Sequence, residues 1–179
     1  MKQHLIVTVI AKDRPGVVET LAAVICQHDG NWEESRMVNL CGKFSGLILI
    51  TVEDEKLDAL KTDLAGLSDK GIRTLVDLAE NTEDMQTLRE IRFNLVGNDR
   101  PGIVREVAQA LAARNINVEE LATDYSSMPW SGEPLFEANG ILQIPADSDL
   151  DELADKLDQI ADELAVDIEL EIPEPTVTH

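Results

Sequence analysis

An Asp-Arg-Pro-Gly turn is written twice in this chain, in "AKDRPGVVETL" at residues 11–21 and in "GNDRPGIVREV" at residues 97–107. Each copy stands between an apolar run and an amphipathic one. Setting residue 5 against residue 91 and continuing without gaps to 34 against 120 pairs Asp13/Asp99, Arg14/Arg100, Pro15/Pro101, Gly16/Gly102, Asn31/Asn117, Glu33/Glu119 and Glu34/Glu120, always 86 positions apart. Further on, Leu57, Leu60, Leu64 and Leu67 match Leu150, Leu153, Leu157 and Ile160 at an offset of 93, so the second copy has gained about seven residues. Their expected place is "YSSMPWSGEP" at 125–134, where Pro, Gly and Ser mark a long hairpin connection; the first copy has only "NLCGKFSG" there. A unit this long, present twice, predicts two tandem domains rather than a solenoid. The expected division is a first domain over 1–82, a linker over 83–88 near the polar "ENTEDMQT", a second domain over 89–173 and a frayed tail over 174–179.

Both copies read in one order. An apolar run ("LIVTVIA", "IRFNLVG") predicts a strand. Val17, Val18, Leu21, Val24 and Ile25, matched by Ile103, Val104, Val107, Ala110 and Leu111, fall at helical spacing. Two hairpin strands follow ("WEESRMVNL" with "GLILITV", "NVEELATDY" with "LFEANGILQI"), then the Leu-ladder helix, then a closing strand ("GIRTLVDLA", "AVDIELEI"). The fold class is therefore α+β: two ferredoxin-like β-α-β-β-α-β domains with antiparallel sheets.

The turn itself carries chemistry. Proline fixes φ near the helical value and lacks the N–H that a helix start leaves unpaired, so Pro15 and Pro101 are expected at the first helical position. Gly16 and Gly102 let another group approach where the first amides point outward, an arrangement that favours anions. Asp13 and Asp99 can accept from the first turn or from an outside ammonium. A free amino acid needs a site for its carboxylate and one for its ammonium, and this turn supplies both. A purely structural capping turn fits the same residues, and duplication would copy that as well.

Composition narrows the function classes. With 35 acidic and 15 basic residues the chain has a formal net charge of −20. Nucleic-acid binding relies on neutralising phosphates, so direct contact with DNA or RNA is not expected. "LIVTVIA" is too short to span a bilayer, and the reading is a soluble, cytoplasmic protein without membrane attachment. Cys26 and Cys41 lack metal or disulfide spacing and read as buried or half-buried free thiols; His4, His28 and His179 are scattered. No nucleophile–base pairing, metal cluster or phosphate loop is legible, so no enzyme, metal or cofactor is expected.

A β-α-β-β-α-β domain with an Asp-x-Pro-Gly turn after its first strand resembles the ACT domain, a regulatory module that commonly binds amino acids at interfaces between paired domains. Two such domains, opening "HLIVTVIAKDRPGVV" and resuming "NLVGNDRPGIV", are similar to the glycine cleavage system transcriptional repressor family. The resemblance implies repression through contact with a DNA-bound activator protein, relieved by glycine. It also implies ligand loops at Lys12, Asp13, Arg14, Pro15, Gly16 and Val17 and at Asn98, Asp99, Arg100, Pro101, Gly102 and Ile103, with Asn31 and Asn117 as further candidates. A lysine at 12 is expected to pair with Asp13 and fill the ammonium's place, which favours the second loop. A homodimer is compatible with this scheme. The alternative is a stand-alone ACT-type allosteric subunit of an amino-acid metabolic enzyme.

Two surfaces point to protein partners. From Asp147 to Glu174 twelve acidic residues accompany one basic residue, Lys156, a pattern that is either a solvated helix face or a docking face for a basic protein. The inserted loop places Met128, Pro129 and Trp130 together, an aromatic anchor if exposed.

Overall fold

The computed structural model describes residues 1–79 and 88–171. The chain divides into two compact units, Met1–Glu83 and Asp84–His179. Most of the expected linker 83–88, and the tail 174–179, lie outside the described residues.

The first unit runs β1 (Lys2–Lys12), α1 (Val17–Gln27), β2 (Asn31–Leu40), β3 (Lys43–Glu53), α2 (Leu57–Gly66) and β4 (Ile72–Leu78), with short 3-10 turns on either side of α2. Its sheet has the order β2-β3-β1-β4, antiparallel throughout. Period-two alternation aims Leu5, Val7, Val9 and Ala11 of β1 at the helices, where they pack with Ile48, Ile50 and Val52 of β3. Val17, Leu21 and Ile25 of α1 and the ladder residues Leu60, Leu64 and Leu67 close this core from one side. Leu60 and Leu64 are fully buried, and truncating either to alanine costs about 2–5 kcal/mol.

The second unit repeats the plan as β5 (Leu88–Asn98), α3 (Ile103–Ala113), β6 (Asn117–Ser127), β7 (Pro134–Pro145), α4 (Leu150–Leu164) and β8 (Val166–Glu171), in the order β6-β7-β5-β8. Its core holds Ile91, Phe93, Leu95, Ile103, Val107, Leu111, Leu142, Leu153, Leu157 and Ile160. The duplication reaches irregular details. Both hairpins have a β-bulge, between Trp32 and Glu34 and between Val118 and Glu120. Both first helices end on a left-handed residue, Asp29 or Asn115, after which the next amide bonds back to Ile25 or Leu111.

Four expectations change. Val18 and Val104 are exposed rather than core, because a position one residue from 17 or 103 is turned about 100° around the helix from the buried stripe. Cys26 and Cys41 are both exposed free thiols: Cys26 lies on the outer side of α1 and Cys41 in the two-residue β2–β3 turn, where φ is 49°. Pro15 and Pro101 precede their helices instead of opening them, as described below. The inserted connection is also shorter than 125–134, since strand pairing continues to Ser127 and resumes at Pro134. Added residues in both strands and before α4 make up the rest.

Candidate functional site

The repeated turn follows the central strand of each sheet. Helix α1 starts at Val17, not at Pro15, and Gly16 flanks it with φ 91° and ψ 0°. Gly102 stands before α3 with φ 95° and ψ −3°. Proline followed by a glycine at these angles is a type II turn, closed in the second unit by the Ile103 amide donating to the Arg100 carbonyl at 3.2 Å. The glycines are therefore required by positive φ. A Cβ at either would meet no atom within 4 Å, so the space above each turn is open.

The turn leaves helix donors bare. The first amide of α1 with a backbone acceptor is Thr20, which bonds the Gly16 carbonyl at 3.0 Å; in α3, after the turn-closing amide of Ile103, the next is Glu106, bonding Gly102 at 3.0 Å. The preceding amides of Val18 and Glu19, and of Val104 and Arg105, meet no acceptor among the described residues. Together with the dipole they present unpaired donors of the kind that can receive an anionic group.

The arginines serve the fold. Arg14 donates from Nη2 to the Lys70 carbonyl at 2.8 Å, beyond α2. Arg100 donates from Nη2 to the Leu164 carbonyl at 3.1 Å, at the end of α4, and to Glu106 Oε2 at 2.7 Å. A cation at helix C-terminal carbonyls is favoured by their unpaired lone pairs and by the dipole.

The aspartates differ between copies. Their amides are held alike, Asp13 by the Gly42 carbonyl and Asp99 by the Pro134 carbonyl, each at 3.0 Å. Asp13 Oδ2, however, accepts from Asn39 Nδ2, whereas the Asp99 carboxylate has no hydrogen-bond partner among the described residues. The expected Lys12–Asp13 pair is not formed. Lys12 is the last residue of β1, directly opposite Lys43, with its side chain on the face away from the helices. Asn98 ends β5 in the same position, opposite Leu135.

Asn31 and Asn117 are not brought to the loops of their own units. Asn31 pairs with Thr51, which pairs with His4, eight residues from Lys12 along β1 and about 27 Å away at strand rise. Asn117 is likewise level with Glu90, at the far end of β5 from Asn98, and its Nδ2 donates to Gln143 Oε1 at 3.4 Å.

A cavity of about 560 Å³ opens at the first loop, lined by Asp13, Arg14, Pro15, Gly16, Val17, Val18, Glu19, Ala22 and Phe44. Sequence reasoning missed Val18, Glu19, Ala22 and Phe44. Helical spacing from Val18 points to Ala22, but Phe44 arrives only through its register opposite Ala11. Among the described residues no group of three His, Cys, Asp or Glu side chains could hold a metal ion, and no helix is long and apolar enough to cross a membrane.

Comparison with known proteins bears on the same region. Residues 3–74 match the family model of the ACT domain. No curated protein matches the chain. Among solved structures, an unknown protein from Galdieria sulphuraria superposes with a TM-score of 0.78 at 27% identity, over 97% of this chain and 100% of that one. A protein provisionally assigned as a glycine cleavage system transcriptional repressor superposes with a TM-score of 0.74 at 21% identity, over 98% and 99%. Residues 3–74 therefore match the ACT domain by sequence, and the whole chain shares the two-unit α+β fold of these structures, two antiparallel ferredoxin-like sheets with helices between their strands.

Proposed function

We propose that this chain is a non-enzymatic, cytoplasmic amino-acid sensor that regulates transcription by contacting a DNA-bound activator protein, the contact being relieved when glycine binds. The ligand carboxylate sits on the bare amides after Gly16 or Gly102, and its ammonium meets the adjacent aspartate. The observation that carries this reading is the left-handed glycine, open above its Cα, followed by helix amides without acceptors beside a carboxylate. Asp99 is the carboxylate left without a described partner, and the cavity lies at the first loop. Both loops are therefore in play. The fold shared with a protein provisionally assigned as a glycine cleavage system transcriptional repressor is in keeping with a regulatory role.

Titration calorimetry of the full chain with glycine, alanine and valine tests the sensor. Binding of glycine that is lost in Asp99→Ala or Asp13→Ala, with the fold intact, is the expected result. Absence of both heat and thermal shift at millimolar ligand overturns it. By linkage, an effector that weakens a complex tenfold must bind the free sensor ten times better than the complexed one. Capture of partners with and without glycine tests that half: a DNA-binding protein released by glycine supports it, and a metabolic enzyme overturns it in favour of an allosteric subunit.

A further inference from the structure

The two units carry opposite charge on equivalent halves of one sheet face. On the side of the first sheet turned away from its helices, the half nearest the β2–β3 turn holds four cations. Lys12 of β1 stands directly opposite Lys43 of β3, Arg73 of β4 opposite Ile10, and Arg36 of β2 opposite Leu47. No carboxylate occupies a position of this half, and the aliphatic side chains of Val38, Leu40, Leu47 and Leu75 stand among the cations, each about half exposed or more. In the second unit the same register positions hold Asn98 opposite Leu135 in place of the lysine pair, and Asp124, Glu137, Asp167 and Glu169 around Val96 and Asn94. Folding does not require the cations. Like charges directly opposite on antiparallel strands repel, so Lys12 and Lys43 cost stability, and the second unit shows that uncharged residues are accepted there. The side chains of Lys12, Lys43 and Arg73 are exposed and meet no carboxylate or carbonyl among the described residues.

Charge and size select the occupant. Four strands at ordinary spacing make the cationic half about 14 Å across and, from the Lys12 row to the Leu75 row, about 13 Å long. A helix of about nine residues covers that length. Beyond it the face turns acidic, with Glu34 and Asp77 flanking Leu49 and Ile6, and Arg36 Nη2 marks the border at 3.4 Å from Glu34 Oε1. An occupant must therefore bring carboxylates to the cations and apolar side chains to the aliphatics among them, and must lose its negative charge where Glu34 begins. A phosphate backbone meets the first demand and not the second, and the chain's net charge of −20 opposes a long polyanion.

We propose that this half-face docks a short, acidic, amphipathic segment of a partner protein, its carboxylates on Lys12, Lys43, Arg73 and Arg36 and its apolar side chains on Val38, Leu47 and Leu75. Docking here is independent of the ligand reading. A fluorescein-labelled peptide repeating Glu-Glu-Leu-Leu, titrated with the full chain, reads it by anisotropy. Binding is expected that is lost when the glutamates become glutamine or the leucines serine, and that weakens at least about tenfold between about 0.05 and about 0.5 M salt. Lys43→Glu and Arg73→Glu each weaken it at least about fivefold. Lys43→Glu also sets an opposite charge against Lys12, so its urea midpoint rises while binding falls, which separates lost docking from lost folding. Lys61→Glu makes the same change of net charge on α2, across the sheet, and leaves binding within about twofold. A peptide that fails to bind at about 100 µM chain overturns the inference, as does binding that the glutamine peptide keeps or that Lys61→Glu weakens as much as Lys43→Glu. Tighter binding of duplex DNA, or self-association of the chain that Lys43→Glu abolishes, gives the face to another occupant and overturns it as well.

Discussion

Arg100 donates from Nη2 to the carbonyl of Leu164, 3.1 Å away, and so ties the loop before the second unit's first helix to the last residue of its second helix. Arg14 does the same for the first unit through Lys70. The duplicated arginine is thereby explained by the fold, whatever its neighbours bind.

Removing this tie has a measurable cost. Arg100→Ala should lower stability in urea by about 1 kcal/mol, because the guanidinium is only half shielded and water replaces part of what is lost. Arg100→Lys should recover less than half of it, since the shorter lysine side chain does not carry its ammonium to where Nη2 meets both Leu164 and Glu106.

The glycines give a paired test. Gly102→Ala forces a Cβ into the left-handed region and should cost about 1–2 kcal/mol despite the open space above it. Gly66, the last residue of α2, has φ −63°, and a Cβ there also meets nothing within 4 Å. Gly66→Ala should therefore stabilise by about 0.4–1 kcal/mol, read from the denaturation midpoint.

One exposed ion pair sets an acid response. The hydrogen bond from Lys56, reinforced by its charge, holds the Asp29 carboxyl below its ordinary value, and Asp29 in turn raises Lys56. A depressed carboxyl contributes stability above its unfolded pKa and loses that contribution as pH falls through the folded value. The Asp29 resonance in an NMR titration should accordingly protonate at lower pH than an unpaired aspartate, and Lys56→Met should return it towards the ordinary range.

Trp130 is 100% exposed in the β6–β7 connection, which is pinned at its base by the Met128 amide on the Glu133 carbonyl at 2.9 Å. Trp32 packs instead against the first core. Trp130→Phe should remove the red-shifted, readily quenched part of the fluorescence and leave a bluer emission. A partner that uses this residue as an anchor should shift the same component on binding.

Element order, the two-unit plan and the core ladders were legible because periods of 2.0 and 3.6 survive in both copies, and gapless alignment gave each copy the other as control. The turn was less legible. Pro-Gly is a type II signature, yet Pro15 and Pro101 also suit a first helical position, and only the left-handed φ of Gly16 and Gly102 separates the two. Asn39 on Asp13, Phe44 in the cavity wall and the carbonyls under the arginines depend on contacts between residues distant in sequence, which no local pattern encodes. The sheet face turned away from the helices was hidden differently: read one strand at a time, alternation shows which side is buried, and only the register across four strands sets Arg36, Leu47, Thr8 and Leu75 in one row.

The central place of β1, bonded to β3 and β4 but not to β2, has a consequence for biosynthesis. During synthesis β1 has no sheet neighbour until β3 follows, beginning with Lys43 opposite Lys12, and its other edge waits for β4. A nascent chain passes through that interval with the apolar run of β1 uncovered, so early chaperone engagement should concentrate on residues 5–11.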